Sequence, residues 1–425
     1  MMFYADLLML GRLQGEEEEA ISAMGVAGPI SYTIVTILAA VRVGIIATVA
    51  RAVGEGDEAK QRRAAASGLL AVMGIGVVAS AAGLTVLPGL TGLFEIPDNP
   101  RVVELAASYV RITAGALFFN LLMIGSAAVM RAAGNTRTPM MIGLAANAIN
   151  VALNYALIFG RFGLPKMGVV GAAVATAAAQ GFYGVCAFAL LFTRFGGVRL
   201  RPGAFREVTR DSFRSLGRVT GPAVLEPVVM QAGFLTYSII VAALGQTQLA
   251  AHRAGIAVES LVFMPGNAIA IACSALVGQA LGARRPEDAD RVFHEAARLA
   301  VYLLCAIGAG ILLFAEPIVR LFVPGNPEVI RLGALCISIG AISEPFFALS
   351  FVLGGALRGA GDTKSPVFVA FVGVWLIRVP VTYLLAHVLG FGIAGVWMMM
   401  SVDWLVRMVL LWTIYRRGRW KHLKL

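Results

Sequence analysis

The sequence predicts an all-α polytopic membrane protein with twelve transmembrane helices in two parallel six-helix lobes. Three observations lead to this fold class. Hydrophobic residues make up 59% of the 425 residues and charged residues only 14%, whereas a soluble chain has about 25% charged residues. Long apolar runs recur along the whole chain, and several short motifs occur twice at a nearly constant offset.

The apolar runs set the number of membrane spans, because a helix needs about 20 mostly apolar residues to cross the hydrocarbon core. Eleven such runs lie near 26–50, 64–90, 102–130, 138–160, 168–193, 216–244, 250–281, 296–315, 329–357, 366–389 and 391–415. The opening MMFYADLLML is apolar but too short to span, so it reads as the second half of a truncated twelfth helix. Since half a span leaves backbone groups unsatisfied in lipid, we expect the true start to lie upstream of Met1, with a dispensable first half of this helix as the alternative.

The basic residues orient the spans. Most of the 35 Lys and Arg residues lie in alternate loops and in the tail, while the opposite loops hold few, beside the acidic run from Glu16 to Glu19. Lys and Arg are retained on the cytoplasmic side, which predicts a multi-pass protein of the cell membrane with both termini in the cytoplasm. The net charge of +11 is thus an orientation signal, and no nucleic-acid partner is expected.

Cysteine and histidine give no sign of a metal centre. The four cysteines lie inside apolar runs without CxxC spacing, and the four histidines are scattered. Buried cysteines of this kind behave as small hydrophobic residues. We therefore expect neither a metal nor an organic cofactor.

A repeated phrase indicates that the chain is duplicated. RAAGNTRTP at 131–139 returns as RGAGDTKSP at 358–366, an offset of 227 residues. ARAVGEGDEA at 50–59 resembles GQALGARRPEDA at 278–289, and GVVGAA at 168–173 resembles GIAGVW at 392–397. Six spans repeated in the same orientation are a transporter architecture, with the transport path between the lobes. The predicted parts are an N-lobe at 1–193, a basic cytoplasmic linker at 194–215, a C-lobe at 216–416 and a basic tail at 417–425.

Each copy of the phrase is predicted to form a cytoplasmic helical hairpin turn, with a direct role in gating as the alternative. Glycine permits a left-handed helix end, and proline suits the first turn of the next helix. The arginines are expected to meet lipid headgroups or the carbonyl end of the preceding helix, and the Thr, Asn and Asp side chains to cap the following one. The residues are Arg131, Gly134, Asn135, Thr136 and Pro139 in the first copy, and Arg358, Gly361, Asp362, Thr363 and Pro366 in the second.

Ionisable residues inside the spans are the candidates for function. A charge near the bilayer centre costs about 2.5–3.5 kcal/mol, so each needs a partner, water or a task. The acids are Asp6, Glu226, Glu259, Glu344 and Asp403, and the arginines include Arg42, Arg111, Arg378 and Arg407. Asp403 and Arg407 are four residues apart, which favours a local ion pair. Arg378 is expected to join a polar network or to meet a carboxylate of the second lobe.

The order and spacing of these motifs resemble the multidrug and toxic compound extrusion (MATE) family, within the wider multidrug/oligosaccharidyl-lipid/polysaccharide flippase superfamily. The resemblance rests on the doubled phrase, the twelve spans, and the GxGD-like turn, which is GEGD at 54–57 and recurs within 278–289. It also rests on NAINVALNYALIFG at 147–160 followed by GVVGAAVAT at 168–176. It covers the chain from Asp6 to the end of the last span.

The resemblance implies a coupling site in each lobe. In the N-lobe, Asp6 matches a proton-exchanging aspartate that clusters with polar residues, here Asn150, Asn154 and Thr176. Related sites often have a carboxylate where this chain has Asn154. The lack of that second carboxylate weakens a sodium site and leaves a proton site possible. In the C-lobe, Glu226 and Glu344 match a cation site. The alternative for each acid is a structural pair with a neighbouring helix.

The predicted function is secondary active efflux by an antiporter, exporting organic, cationic amphipathic compounds in exchange for H+ or Na+. The substrate cavity is predicted to be lined by the acid Glu259 and by the aromatic residues Tyr32, Phe263 and Phe346. Aromatic rings attract flat cations. We expect a monomer in contact with membrane lipids and small-molecule substrates. The alternative is a flippase for a lipid-linked oligosaccharide or polysaccharide. An ATP-driven pump or a membrane enzyme is not expected, because no GxxxxGK(S/T) motif or cluster of catalytic groups is present.

Overall fold

The computed structural model describes residues 2–13, 15–93, 99–323 and 325–423, and these are helical throughout, joined by short turns. The helices are α1 (Met2–Leu10), α2 (Glu17–Leu38), α3 (Val41–Glu55), α4 (Glu58–Leu90), α5 (Pro100–Gly115), α6 (Leu117–Ala132), α7 (Arg137–Phe159), α8 (Gly168–Leu190), α9 (Arg210–Ala242), α10 (Gln246–Gly282), α11 (Pro286–Phe322), α12 (Pro327–Gly359), α13 (Lys364–Phe371), α14 (Val379–Tyr383) and α15 (Gly392–Arg416). π-helical turns at Val372–Arg378 and Leu384–Val388 join α13 and α14 into one element that ends at Val388.

The predicted spans are confirmed in number. Among the described residues, ten helical elements are long and apolar enough to cross a membrane, with α2 and α3 counted together. The pair α5 and α6 makes an eleventh span, bent by 47° at Ala116. The short helix α1 lies where the truncated first of the twelve helices was predicted. The acidic run was expected in a loop, but Glu17 to Glu19 form the first turn of α2, where acidic side chains offset the helix dipole.

The chain divides into two compact units. Unit 1 is formed by Met1–Ile45 and Asp57–Gly217, and unit 2 by Ile46–Gly56 and Arg218–Leu425. Unit 1 therefore includes the basic segment that we predicted as a linker at 194–215. That segment folds onto unit 1, because Leu200 and Ala204 are buried and the ring of Phe205 lies 6.4 Å from that of Phe188 and 6.3 Å from that of Phe192.

Small residues allow close packing of helices in unit 2. A methyl group added at Gly355 or Gly359 of α12 would overlap the backbone of Ala270 or Ser274 of α10. Further along α10, a methyl group at Gly282 would overlap the Arg51 carbonyl of α3. Small residues spaced four apart let helix backbones approach in lipid, where dispersion contacts replace the hydrophobic effect. This packing explains why the end of α3 belongs to unit 2.

Both copies of the repeated phrase form the predicted turns. Gly134 and Gly361 adopt left-handed conformations, with φ of +85° and +92°. Pro139 and Pro366 lie in the first turns of α7 and α13. The capping side chains are those of Asn135 and Asp362, which accept from the backbone N–H groups of Thr138 and Ser365, each at 3.1 Å. Thr136 and Thr363 make no capping hydrogen bond.

The turn after α3 is capped by Asp57. Its carboxylate accepts hydrogen bonds from the backbone N–H groups of Lys60 at 3.0 Å and Ala59 at 2.9 Å. These bonds favour the charged form, which holds the pKa of Asp57 below its usual value. Asp57, the aspartate of GEGD at 54–57, therefore caps the N-terminus of α4.

The close packing of α10 and α12 is testable by adding one methyl group. We expect Gly355→Ala to lower the free energy of unfolding by about 1–3 kcal/mol, because the new Cβ forces two backbones apart. The matched control is Gly310→Ala on α11, where an added Cβ meets open space and stability should be unchanged or slightly higher. Unfolding in detergent, followed by circular dichroism, measures both. Equal stability of the two variants would contradict this packing.

Candidate functional site

The carboxylate of Asp6 is fully buried in unit 1 and is surrounded by side chains from three other helices. Asn154 of α7 donates to it from Nδ2 at 2.6 Å. Thr176 of α8 donates from Oγ1 at 2.8 Å, and Tyr109 of α5 from its hydroxyl at 3.4 Å. Helices α1, α5, α7 and α8 therefore meet at one acid.

A chain of hydrogen bonds extends from this acid between α7 and α8. Asn150 and Asn154 lie four residues apart on one face of α7. Asn150 donates to the Thr176 hydroxyl at 3.1 Å and accepts from Asn154 at 3.3 Å. Gly171 brings the helices close enough, since a Cβ there would lie 2.8 Å from the Leu157 carbonyl. The structure thus brings together the four residues predicted for this cluster.

The donors around Asp6 are all neutral. Within the described part of the chain, no Lys, Arg or His forms an ion pair with this carboxylate. Asn154 Oδ1 is buried and has no hydrogen-bond partner among the described atoms. An ionised carboxylate only accepts hydrogen bonds, whereas a protonated one also donates. The cluster contains one acceptor to which a protonated Asp6 can donate after rotation of the Asn154 amide.

Sequence reasoning did not identify Tyr109. Tyr109 lies in the third predicted span, and no motif or spacing links it to Asp6. Because an isolated tyrosine in a span has no local partner, only the packing of α5 against α1 reveals its role.

Glu226 forms an ion pair with Arg358 in unit 2. Arg358 Nη1 lies 3.0 Å from Oε1 and 3.2 Å from Oε2 of Glu226, and both side chains are largely shielded from solvent. The guanidinium folds back along α12 over Gly354, where a Cβ would lie 3.2 Å from it. The expectation that Arg358 meets headgroups or helix carbonyls is therefore wrong. A carboxylate offers a stronger, charge-assisted hydrogen bond than either neutral carbonyl.

Glu344 on α12 has no such partner. The residue is 5% exposed, and its Oε2 makes no hydrogen bond with any described atom. Its side chain lies against Gly308 of α11, where an added Cβ would be 3.3 Å from Glu344 Cγ. The charge of Glu259 of α10 acts on Glu344, and the charge of Arg378 acts on Glu259 in turn. Among the described residues, Glu344 therefore forms no ion pair with an arginine, and the charge that acts on it is that of a second acid.

A third acid, Asp403 on α15, is clamped by two arginines. Its carboxylate is 2.8 Å from Arg407 Nε and 2.9 Å from Arg378 Nε. This confirms the predicted pair with Arg407 and identifies the carboxylate that Arg378 meets. Gly373, in the first π-helical turn, leaves room for the cluster, because a Cβ there would lie 2.6 Å from Arg407 Nε. The guanidinium groups also lie over the Trp404 ring, that of Arg378 at 5.8 Å and that of Arg407 at 4.9 Å from its centroid.

The predicted cavity aromatics lie in different surroundings. Tyr32 on α2 is 66% exposed. Phe263 contacts the ring of Phe347 at 4.4 Å and that of Phe351 at 5.8 Å, so its faces are largely occupied by neighbouring side chains. Phe346 is half-buried and packs against the core of unit 2. Their predicted contact with substrate stays a prediction.

The sequence of this chain is similar to sequences of known membrane transporters. The MatE family model matches residues 1–156 and 222–384. A probable multidrug resistance protein NorM of Thermotoga maritima is 31% identical, with 98% of this chain and 88% of the relative covered. The multidrug resistance protein NorM of Burkholderia vietnamiensis is 30% identical, with 93% and 85% covered.

Solved structures share the fold. An outward-facing multidrug resistance MATE family transporter superposes with a TM-score of 0.90 at 21% identity, covering 99% of this chain and 92% of that one. A Vibrio cholerae MATE transporter gives 0.88 at 19% identity, covering 98% and 92%. The family model and the relatives that match almost the whole chain agree with the duplicated helical architecture, and this protein belongs to the MATE family of multi-pass membrane transporters.

Proposed function

We propose that this protein is an efflux antiporter that exports organic, cationic amphipathic compounds across the cell membrane, driven by inward movement of H+. The names of the NorM relatives, multidrug resistance proteins, support export of diverse compounds. Both termini are proposed to face the cytoplasm, as the loop charges predict. The observation that carries the coupling is the Asp6 carboxylate, buried among neutral donors only.

The environment of Asp6 favours a proton over a metal cation. The two carboxylate oxygens already accept from three donors, which point their hydrogens toward the place a cation would occupy. Hard cations need several oxygen ligands, and Asn154 supplies an amide where a second carboxylate would add charge. A proton needs one acceptor, which the unpartnered Oδ1 of Asn154 can provide. Na+ is the alternative ion.

Protonation of Asp6 would change the hydrogen-bond pattern of its cluster. The ionised acid accepts from Asn154 Nδ2, and the neutral acid would donate to Asn154 Oδ1 after the amide turns over. Since Asn154 also donates to Asn150, that turn would break a contact within α7. Two packing arrangements of α1 against α7 would then differ in proton occupancy, which is what an exchange cycle requires.

In unit 2 we propose that Glu344 and Glu259 supply a second acidic site. Glu344 is buried, its Oε2 has no donor among the described residues, and the charge of Glu259 that acts on it has the same sign. Such a pair is stabilised by a proton or by a cationic substrate, and loss of its charge would release the cation. Glu226 is instead held by Arg358, so we propose a structural role for it.

Transport by isolated variants tests the coupling site. We expect Asp6→Asn to lower pH-gradient-driven transport of a fluorescent organic cation by roughly 5–150-fold, the range of a coupling energy between two sites. Glu344→Gln should lower it as well. The measurement uses proteoliposomes with pH and sodium gradients imposed separately.

Matched controls are Asp211→Asn and Glu316→Gln, which change exposed acids and should transport like the unmodified protein. Full proton-driven transport by Asp6→Asn would contradict the proposal. Transport driven by sodium alone would replace H+ with Na+ as the coupling ion.

A double-mutant cycle tests the structural role of Glu226. Unfolding free energies of Glu226→Gln, Arg358→Gln and the double variant should give a coupling energy of about 0.5–3 kcal/mol. The exposed pair Glu295 and Arg298 on α11 is the control and should give about 0.2–0.5 kcal/mol. Zero coupling, together with a transport loss in Glu226→Gln as large as that in Glu344→Gln, would assign Glu226 to the coupling site instead.

A further inference from the structure

In unit 1, the turn formed by the first copy of the repeated phrase is closed by the segment that follows α8. Asn135 Nδ2 donates to the Phe195 carbonyl at 2.6 Å, and the Thr138 hydroxyl donates to the same carbonyl at 3.3 Å. Gly197, with φ of +79°, passes so close that a Cβ would lie 2.9 Å from Ala133 Cβ. The following segment therefore fills the space over this turn.

In unit 2, the chain that follows α15 lies at the matching place and leaves a pocket beside the turn. The second copy has Asp362 and Ser365 at the positions of Asn135 and Thr138. Asp362 accepts from the Ser365 N–H at 3.1 Å and from its hydroxyl at 2.7 Å. A carboxylate has no hydrogen to donate, so Asp362 cannot hold a backbone carbonyl as Asn135 does. A pocket of about 150 Å³ lies here, lined by Asp362, Ser365, Ile414, Arg417, Arg419 and Trp420.

The tail that lines this pocket is fixed in place. Gly418, with φ of +69°, turns the chain after α15. Trp420 is 1% exposed, donates to the Tyr415 carbonyl at 2.9 Å and stacks on the Tyr415 ring at 4.8 Å. Lys421 pairs with Asp290, which also accepts from the Tyr415 hydroxyl. The wall of the pocket is thus part of the folded unit.

Two arginines of this wall form no ion pair among the described residues. Arg417 and Arg419 are exposed, and neither forms an ion pair with any residue that the structure describes. They follow the last turn of a membrane-spanning helix, where basic side chains meet lipid phosphates. The half-buried Asp362 carboxylate faces the same pocket. The pocket therefore presents two positive charges and one negative charge to whatever enters it.

Size and charge define the ligand class. Pockets for drug-sized molecules measure roughly 300–1,000 Å³, so this one accommodates a smaller group. A phosphate alone would face Asp362, and an ammonium group alone would face two arginines. A zwitterion that carries both satisfies all three side chains, with charge-assisted hydrogen bonds at each end. Ile414, at the end of α15, adds an apolar side chain to the lining.

We propose that this pocket binds the headgroup of phosphatidylethanolamine, with the ammonium group at Asp362 and the phosphate at Arg417 and Arg419. This site is separate from the acids proposed to couple transport, and it does not depend on that proposal. It gives the second copy of the repeated phrase a lipid ligand where the first copy holds a segment of its own chain.

The test is lipid retention by the full-length protein, measured by native mass spectrometry and by thermal stabilisation in detergent. Phosphatidylethanolamine should bind about tenfold more tightly than phosphatidylglycerol, which lacks the ammonium group, or phosphatidylcholine, whose ammonium group has no N–H donor. Asp362→Asn should remove this preference. The double variant Arg417→Gln and Arg419→Gln should weaken binding of all three lipids.

Arg416→Gln is the matched control, because Arg416 is exposed beside the pocket and does not line it; its lipid preference should not change. Equal binding of the three lipids, or a preference for phosphatidylglycerol, would overturn the proposal. Soluble phosphoethanolamine that binds as tightly as the lipid would show that the ligand is not a membrane component. If Asp362→Asn fails to fold, the arginine double variant decides alone, since both side chains are exposed.

Discussion

A carboxylate inside a membrane must be neutralised by an opposite charge, by hydrogen-bond donors or by a proton, and the acids of this chain use different solutions. Asp403 and Glu226 are paired with arginines. Asp6 is held by neutral donors, and Glu344 has an oxygen with no hydrogen-bond partner among the described residues. Protonating an arginine-paired acid leaves an uncompensated positive charge in a poorly solvated site. The acids without arginines are therefore the ones that we propose to change charge during transport.

The two units of the duplicated chain are similar, and single residue differences at matching positions give them different side-chain contacts. The first phrase has Asn135, which can donate a hydrogen bond and holds the segment after α8. The second has Asp362, which cannot, and a charged pocket remains beside it. Arg358 in the second copy reaches back over Gly354 to Glu226, whereas position 127 in the first copy is an alanine. Shared backbone geometry thus coexists with different side-chain chemistry.

The features that the sequence predicted correctly are local ones. Span positions follow from runs of apolar residues, the left-handed glycines from turn chemistry, and the pair of Asp403 and Arg407 from a spacing of four. The partners of Asp6 on α7 and α8 came from family resemblance. Tyr109 and the Glu226 pair with Arg358 join helices more than 100 residues apart in the chain, so no local pattern reveals them. The bend at Ala116 and the π-helical turns depend equally on packing between helices.

The most direct test of the central claim is infrared difference spectroscopy on the purified protein, recorded as a cationic substrate is added. If Asp6 exchanges its proton for substrate, the carbonyl band of a buried protonated carboxylic acid should decrease on binding, and that change should be missing in Asp6→Asn. A substrate-induced spectrum that is the same in both proteins, or one without any carboxylic acid band, would contradict the account.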